Sequence, residues 1–353
     1  GISTDHESFT LEEGREKIAA GLSVAIREGS AARNFEALWP LLQEHPDHCF
    51  FCSDDRHPDD LVESHIDGLV RRAIALGIDP MVALRAATLH PVRHYRLPVG
   101  LLQEGDPADF VVVPSADHFH VEQTWIDGRL VAERGRPRTE ARPVPPLNVF
   151  RARPVGEGEL SPAGHPDRPM LAIRARDGEI VTDRETVRPR LDTAGRVRAD
   201  PSRDQLKIAV VDRYRPSPPA VGLVLGFGLE RGAIAGSVAH DCHHVIGVGA
   251  DEDSLRRALN AVIAEEGSLA LAAPGEELSY PLPFAGLMGE LPTEEAARRF
   301  RELTARAHGL GCSLQSPFMT LSFLALVVIP SLKISAGGLF DVDRFGFLDP
   351  WQD

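Results

Sequence analysis

Over the first hundred residues, short apolar runs ending in polar clusters alternate with stretches whose apolar positions recur at helical spacing. GISTDHE (1–7) is a short strand-like run that ends in Asp5-His6-Glu7. TLEEGREKIAAGL (10–22) predicts a helix, with Thr10 and Glu13 at capping-box spacing. LSVAIREGSA (22–31) predicts a strand ending in Arg27-Glu28, followed by a helical segment to about Leu42. CFFCSDD (49–55) predicts a third strand. The next stretch, residues 58–77, predicts one amphipathic helix with Leu61, Ile66, Leu69, Val70 and Ile74 on one face. Strand, helix, repeated three times, is the βα repeat of a parallel sheet or barrel. Chemistry in such folds sits at the C-terminal strand ends, so the clusters at Asp5-His6-Glu7, Arg27-Glu28 and Asp54-Asp55 point to one shared site. Three units cannot close a barrel, which needs about five more. Gly1 opens without an initiator Met, and the chain is expected to start partway through a domain.

From about Gly100 the pattern changes. Short β runs with turn signals at Glu104-Gly105-Asp106-Pro107 and Asp127-Gly128 predict a small antiparallel unit over 99–140. Residues 141–170, rich in Pro and Arg, read as a linker. Residues 171–353 read as a mixed region: strands near 207–212, 221–226 and 244–249, helices over 251–267 and 293–311, and an apolar segment at 319–330. A length of 353 residues exceeds what one core usually supports and fits two or three domains.

Composition narrows the function class. Lys and Arg number 38 against 52 Asp and Glu, a net charge of −14, and the arginines are scattered. A basic stripe is missing, so nucleic acid is not the expected partner. Cys49 and Cys52 form a CxxC inside an apolar run with no second CxxC, which argues for buried thiols over a redox or zinc pair. The longest apolar run, residues 319–330, is shorter than the ~20 residues a spanning helix needs, and a cytoplasmic protein with no membrane partner is expected.

Read alone, His6 is a surface or hydrogen-bonded histidine, and Asp54 a capping or turn residue. Their placement two βα units apart lets one imidazole and one carboxylate converge on a metal. Asp54 is preferred over Asp55 from its position at the end of the apolar run, and Asp55 suits capping the next helix or orienting a ligand. Glu7, Arg27, Glu28 and Ser30 lie where substrate contacts would come from, with a buried ion pair that braces the sheet as the alternative.

The runs STDHES, IREGSAARN, CSDDRHPDDL, HIDGLVRRAI, ALRAATLHP and GDPADFVVV closely resemble the adenine deaminases of the amidohydrolase superfamily. The resemblance continues through FGLERGAIAGSVAHDCHHVIGVG, YPLPFAGLMG and LGCSLQSPFMTLSFLALVVIPSLKIS, and is weakest over the linker. It implies an α/β fold: the last three units (1–98) of a metal-dependent (β/α)8 barrel, a small β-sandwich-type domain (99–140) and an α+β C-terminal domain (171–353). It implies His6 as the metal ligand of the sixth barrel strand and Asp54 as the aspartate of the eighth, ligand and proton shuttle together. The first-, fourth- and fifth-strand ligands of the family have no counterpart in this sequence.

The implied reaction is hydrolytic deamination of adenine to hypoxanthine and ammonia, a purine salvage step, by a metal-activated water. The metal is expected to be Mn2+, with Fe2+ or Zn2+ as alternatives, and the protein a homo-oligomer. Other readings are a different cyclic-amide or nucleobase amidohydrolase, or a non-catalytic module that pairs with a second chain. His118-Phe119-His120 is an HxH, but it falls where the family has its small β-domain, and is expected on an exposed strand face. His240, Asp241, His243 and His244 fall in the C-terminal region, either as a lid or supporting element or as a structural hydrogen-bond cluster.

Overall fold

The computed structural model describes every residue except Asp117, Ala141 and Asp353. It divides into two compact units, Gly1–Val144 and Pro145–Asp353. The first opens with β1 (Thr4–Asp5), α1 (Leu11–Ala19), β2 (Ser23–Arg27), α2 (Phe35–Leu38), α3 (Leu41–Glu44) and β3 (Cys49–Cys52). These strands form a parallel sheet in the order β1-β2-β3, with Asp5 opposite Val24 and Arg27 opposite Cys52. Helix α1 starts as expected: Thr10 accepts from the Glu13 amide, and the Glu13 carboxylate accepts from Thr10. Alternation along the strands decides what is buried. Val24 and Ile26 of β2 and Cys49 and Phe51 of β3 pack against Phe35, Leu38, Leu69 and Val70. The opposite positions, Arg27 among them, are left for the site.

The helix expected over 58–77 is broken into α4 (Pro58–Leu61) and α5 (Ile66–Ala75). Polar side chains cause the break by offering the backbone other partners. Asp67 accepts the His65 amide at 2.8 Å, and Arg56 donates to the Asp60 carbonyl and the Ser64 hydroxyl, both at 3.3 Å. Leu69 and Val70 are buried as the helical spacing predicts, whereas Leu61, on the severed turn, is exposed. Helices α6 (Pro80–Ala87) and α7 (Leu89–Tyr95) follow. Then β4 (Phe110–Val112), β5 (Gln123–Ile126), β6 (Arg129–Glu133) and β7 (Arg136–Pro137) form one antiparallel sheet in sequential order. Among the described residues this is a single sheet, in place of a sandwich. His118 and His120 lie outside its strands and are exposed, around a buried Phe119.

The second unit is built on an eight-stranded sheet. Its strands and neighbours are β8 (Met170–Arg174), β9 (Asp183–Val187), β10 (Arg190–Leu191), β11 (Val197–Arg198), β12 (Leu206–Val211), β13 (Ala220–Leu225), β14 (Ala233–Gly236) and β15 (Val245–Gly249). Helix α8 (Glu252–Ala264), β16 (Ser268–Ala273), β17 (Glu276–Pro281), α9 (Thr293–Gly309), α10 (Pro317–Phe323), β18 (Leu332–Ser335), β19 (Gly338–Asp341) and β20 (Gly346–Phe347) complete it. The sheet order is β17-β16-β14-β15-β12-β13-β8-β9, antiparallel except for β13 against β8. Leu206, Ile208 and Val210 of β12 face α9, α10 and β18, while Ala209 and Val211 face α8. The stretch expected as a linker is not a free tether beyond Pro145. Val155 and Leu160 are buried in the α8-side core with Phe150 and Ala152 against them, and Asn260 of α8 holds the Val155 amide at 2.7 Å. Its Pro and Arg content masked these apolar anchors.

Candidate active site

His6, Arg27 and Asp54 follow or end β1, β2 and β3 at their C-terminal edge, where parallel strands present consecutive loops side by side. Asp54 Oδ2 is 3.8 Å from His6 Nε2. Between the two loops lies the Arg27 guanidinium, whose side chain is only 3% exposed. It donates to Asp54 Oδ2 at 2.7 Å and to both oxygens of Glu7 at 3.2 and 3.1 Å. The carboxylate of Glu7 also lies 3.2 Å from His6 Nε2. Asp54 is fixed at its other oxygen too, because Oδ1 accepts the Asp55 amide at 2.8 Å. Its backbone is left-handed, with φ of 52°. Asp54 therefore presents its carboxylate to His6 and Arg27.

The charges act on one another. Hydrogen bonding to Glu7 raises the pKa of His6 above its ordinary value, against the effect of burial. The same contact with His6, followed by the bonds from Arg27, lowers Glu7. Burial disfavours the charged form of Arg27, but its bonds to Asp54 and Glu7 outweigh that, and its pKa is raised.

The other residues expected near substrate are engaged elsewhere. The Glu28 carboxylate meets Arg72 of α5 at 2.7 Å. Ser30 donates to Asp60 at 2.5 Å and accepts the His57 amide at 2.8 Å, so it ties the loop after β2 to the start of α4. Gly29 permits this approach: a Cβ there would lie 2.6 Å from the Ala31 carbonyl oxygen and 2.9 Å from that of Asp55. Sequence reasoning missed Asn34, which is 2% exposed. Its Oδ1 accepts the Arg27 amide at 2.6 Å and its Nδ2 donates to the Ser8 carbonyl at 3.0 Å, joining the His6 loop to the end of β2. The only signal was a lone amide in a segment otherwise read as helix.

Imidazole nitrogen and carboxylate oxygen are donors that suit a divalent transition metal. His6 and Asp54 could hold one side of such an ion. Among the described residues, however, no group of three or more His, Cys, Asp or Glu is arranged to hold a metal. The donor types fit; the donor number is that of a partial site. Cys49 and Cys52 do not add to it, since burial pushes both thiols up to about 12, leaving them protonated at neutral pH.

In the second unit, residues 240–244 form a hydrogen-bond cluster. His240 stacks on Phe323 at 4.7 Å, and its Nδ1 is 3.0 Å from the Ser322 hydroxyl. His244 Nδ1 accepts the Arg213 amide at 3.3 Å, and Arg213 Nη1 donates to the His243 carbonyl at 3.2 Å. Tyr214 donates to the Cys242 carbonyl at 3.2 Å.

Residues 3–131 match the family model for the amidohydrolase family, and residues 179–346 match that for the adenine deaminase C-terminal domain. The chain is 52% identical to an adenine deaminase of Salinibacter ruber, over 100% of this chain and 65% of the relative. It is 45% identical to an adenine deaminase of Methanosarcina mazei, over 100% of this chain and 66% of the relative. A Sulfurovum adenine deaminase is 46% identical over 99% of this chain and 64% of its own length. The chain thus spans slightly less than two thirds of the length of these curated relatives.

Proposed function

This chain belongs to the adenine deaminase family, and from that membership and the site geometry we propose that the whole protein hydrolyses adenine to hypoxanthine and ammonia. The observation that carries the reading is the Asp54 carboxylate, held at the C-terminal edge of three parallel strands 3.8 Å from His6 Nε2. On this reading, β1 to β3 with their helices are the last three units of a (β/α)8 barrel, and residues 171–353 are the family's C-terminal domain.

His6 and Asp54 would hold a divalent metal, with manganese preferred over iron or zinc. Such an ion, when bound, supplies a water activated at neutral pH. Asp54 takes the proton of the attacking water on its carboxylate and returns it to the departing amine. Glu7, with a side chain 42% exposed, is open to hydrogen-bond the substrate. The reading places the protein among cytoplasmic purine salvage enzymes, as a homo-oligomer with a small-molecule substrate.

Ammonia release from adenine in the presence of Mn2+ tests it. The whole protein carrying these residues is expected to be active, and Asp54→Asn to reduce kcat by at least ~100-fold, the scale of general acid–base catalysis. Residues 1–353 alone, with two protein donors, are expected to release little ammonia; turnover at ordinary enzyme rates would contradict this. An inactive whole protein would move the reading to another nucleobase or cyclic amide, or to a non-catalytic partner module.

A further inference from the structure

Arg27 faces two carboxylates with different surroundings. Asp54 has both oxygens engaged: Oδ1 by the Asp55 amide at 2.8 Å and Oδ2 by Arg27 at 2.7 Å. Glu7 accepts from Nη1 at 3.2 Å and from Nη2 at 3.1 Å, so Nη1 serves both carboxylates. The backbone that carries this side chain is held as well. The Arg27 backbone exchanges hydrogen bonds with Asn34, its amide donating to Asn34 Oδ1 at 2.6 Å and its carbonyl accepting the Asn34 amide at 3.0 Å. With its side chain 3% exposed, it cannot swing away to meet solvent. A planar fork of this kind can span two carboxylates in fixed directions, which a lysine ammonium, acting as a point charge, cannot.

We propose that Arg27 is a positioning residue: its guanidinium sets the direction of the Asp54 carboxylate toward His6 and fixes Glu7 relative to it. It does so without contacting substrate, in place of the substrate-binding role that sequence position suggests. The proposal rests on the reading of Asp54 as proton shuttle for its kinetic consequence, but its structural consequence is independent of that reading.

Two arms test it, both in the whole protein. In crystal structures, Arg27→Met is expected to move the Asp54 carboxylate out of its place beside His6, while Arg27→Lys leaves the fold intact and the carboxylate only partly aligned. In adenine turnover, Arg27→Lys is expected to lower kcat, because proton transfer to Asp54 loses alignment, with a smaller rise in KM through Glu7, which Arg27 also holds. A displaced reacting group costs on the order of 100-fold in rate, which sets the scale for Arg27→Met. Added guanidinium ion is expected to restore part of the Arg27→Ala rate and none of the Asp54→Asn rate. An unmoved Asp54 in Arg27→Met, or a KM rise with kcat unchanged in Arg27→Lys, would overturn the proposal. A wild-type protein inactive on adenine would overturn the substrate reading alone, and the crystal structures would still decide the role of Arg27. Should Arg27→Met fail to fold, Arg27→Lys with its kcat and KM supplies the decision.

Discussion

Lys333 lies on β18 with 0% of its surface exposed, and its amine donates to the carbonyls of Ile180 at 2.6 Å and Phe323 at 3.1 Å. Burial pushes its pKa down from 10.5 to about 7. Between those two values the unfolded chain binds the proton that the folded chain releases, so stability rises with pH across the window. Below about 7 the penalty of the buried charge is fully present. Lys333→Met should remove up to about 1.4 kcal/mol per pH unit from the pH dependence of unfolding. Denaturant titrations of wild type and variant at several values in this window check it; parallel slopes would refute it. No feature of SLKIS announced this residue, because an alternating lysine normally marks the wet face of a strand. Asn34 was hidden for a related reason: both act through carbonyls and amides contributed by other segments. That His6 and Asp54 lie together was legible from their placement, because consecutive strand ends of a parallel sheet sit side by side.

Elements were read best where periodicity alone decides them. The capping box of α1, the strands β2 and β3, and helices α8 and α9 all follow from spacing. The glycines of β15 needed the fold to be understood. A Cβ at Gly247 would lie 3.0 Å from Leu255 Cδ1 and Leu259 Cδ2, and one at Gly249 would lie 2.8 Å from Leu255 Cβ. Their small size lets α8 lie directly on the sheet, with Leu255, Leu259 and Val262 buried against it. Gly249→Ala is therefore an overpacking change at a contact that only backbone movement can relieve. It should destabilise the second unit by about 1–3 kcal/mol, measured as a fall in denaturant midpoint. A midpoint equal to wild type would mean that α8 can shift freely on β15. Strands β8, β14 and β16 were not legible for the opposite reason. Sheets buried on both faces produce continuous apolar or small-residue runs such as AIAG and SLALAA, which carry no alternation.

Each of the two units has its own core. Val24, Ile26, Phe35, Leu38 and Phe51 build that of the first, and Ile208, Val210, Ile234, Val248 and Phe300 belong to that of the second. The units differ in how their sheets end. In the second, the edge strands carry charge or proline: Asp183, Arg184 and Glu185 on β9, and Glu276, Glu277 and Pro281 on β17. Such residues discourage further strand pairing. In the first, the parallel sheet ends on one side at β3, where Cys49, Phe50 and Phe51 are buried and His90 of α7 meets the Cys49 carbonyl at 2.9 Å, and on the other at the two-residue β1, half-buried and close to an exposed Ile2. Parallel sheets are stable when covered and extended, and an incompletely covered edge such as that at β1 is a template for association. Residues 145–353 expressed alone should therefore be monomeric and unfold cooperatively on heating. Residues 1–144 alone should aggregate or fail to show a cooperative transition. Calorimetry and sedimentation of the two fragments decide this. A monomeric, cooperatively melting 1–144 would show that the Asp54 site is stabilised by its own unit, and that the edge at β1 needs no neighbouring strand.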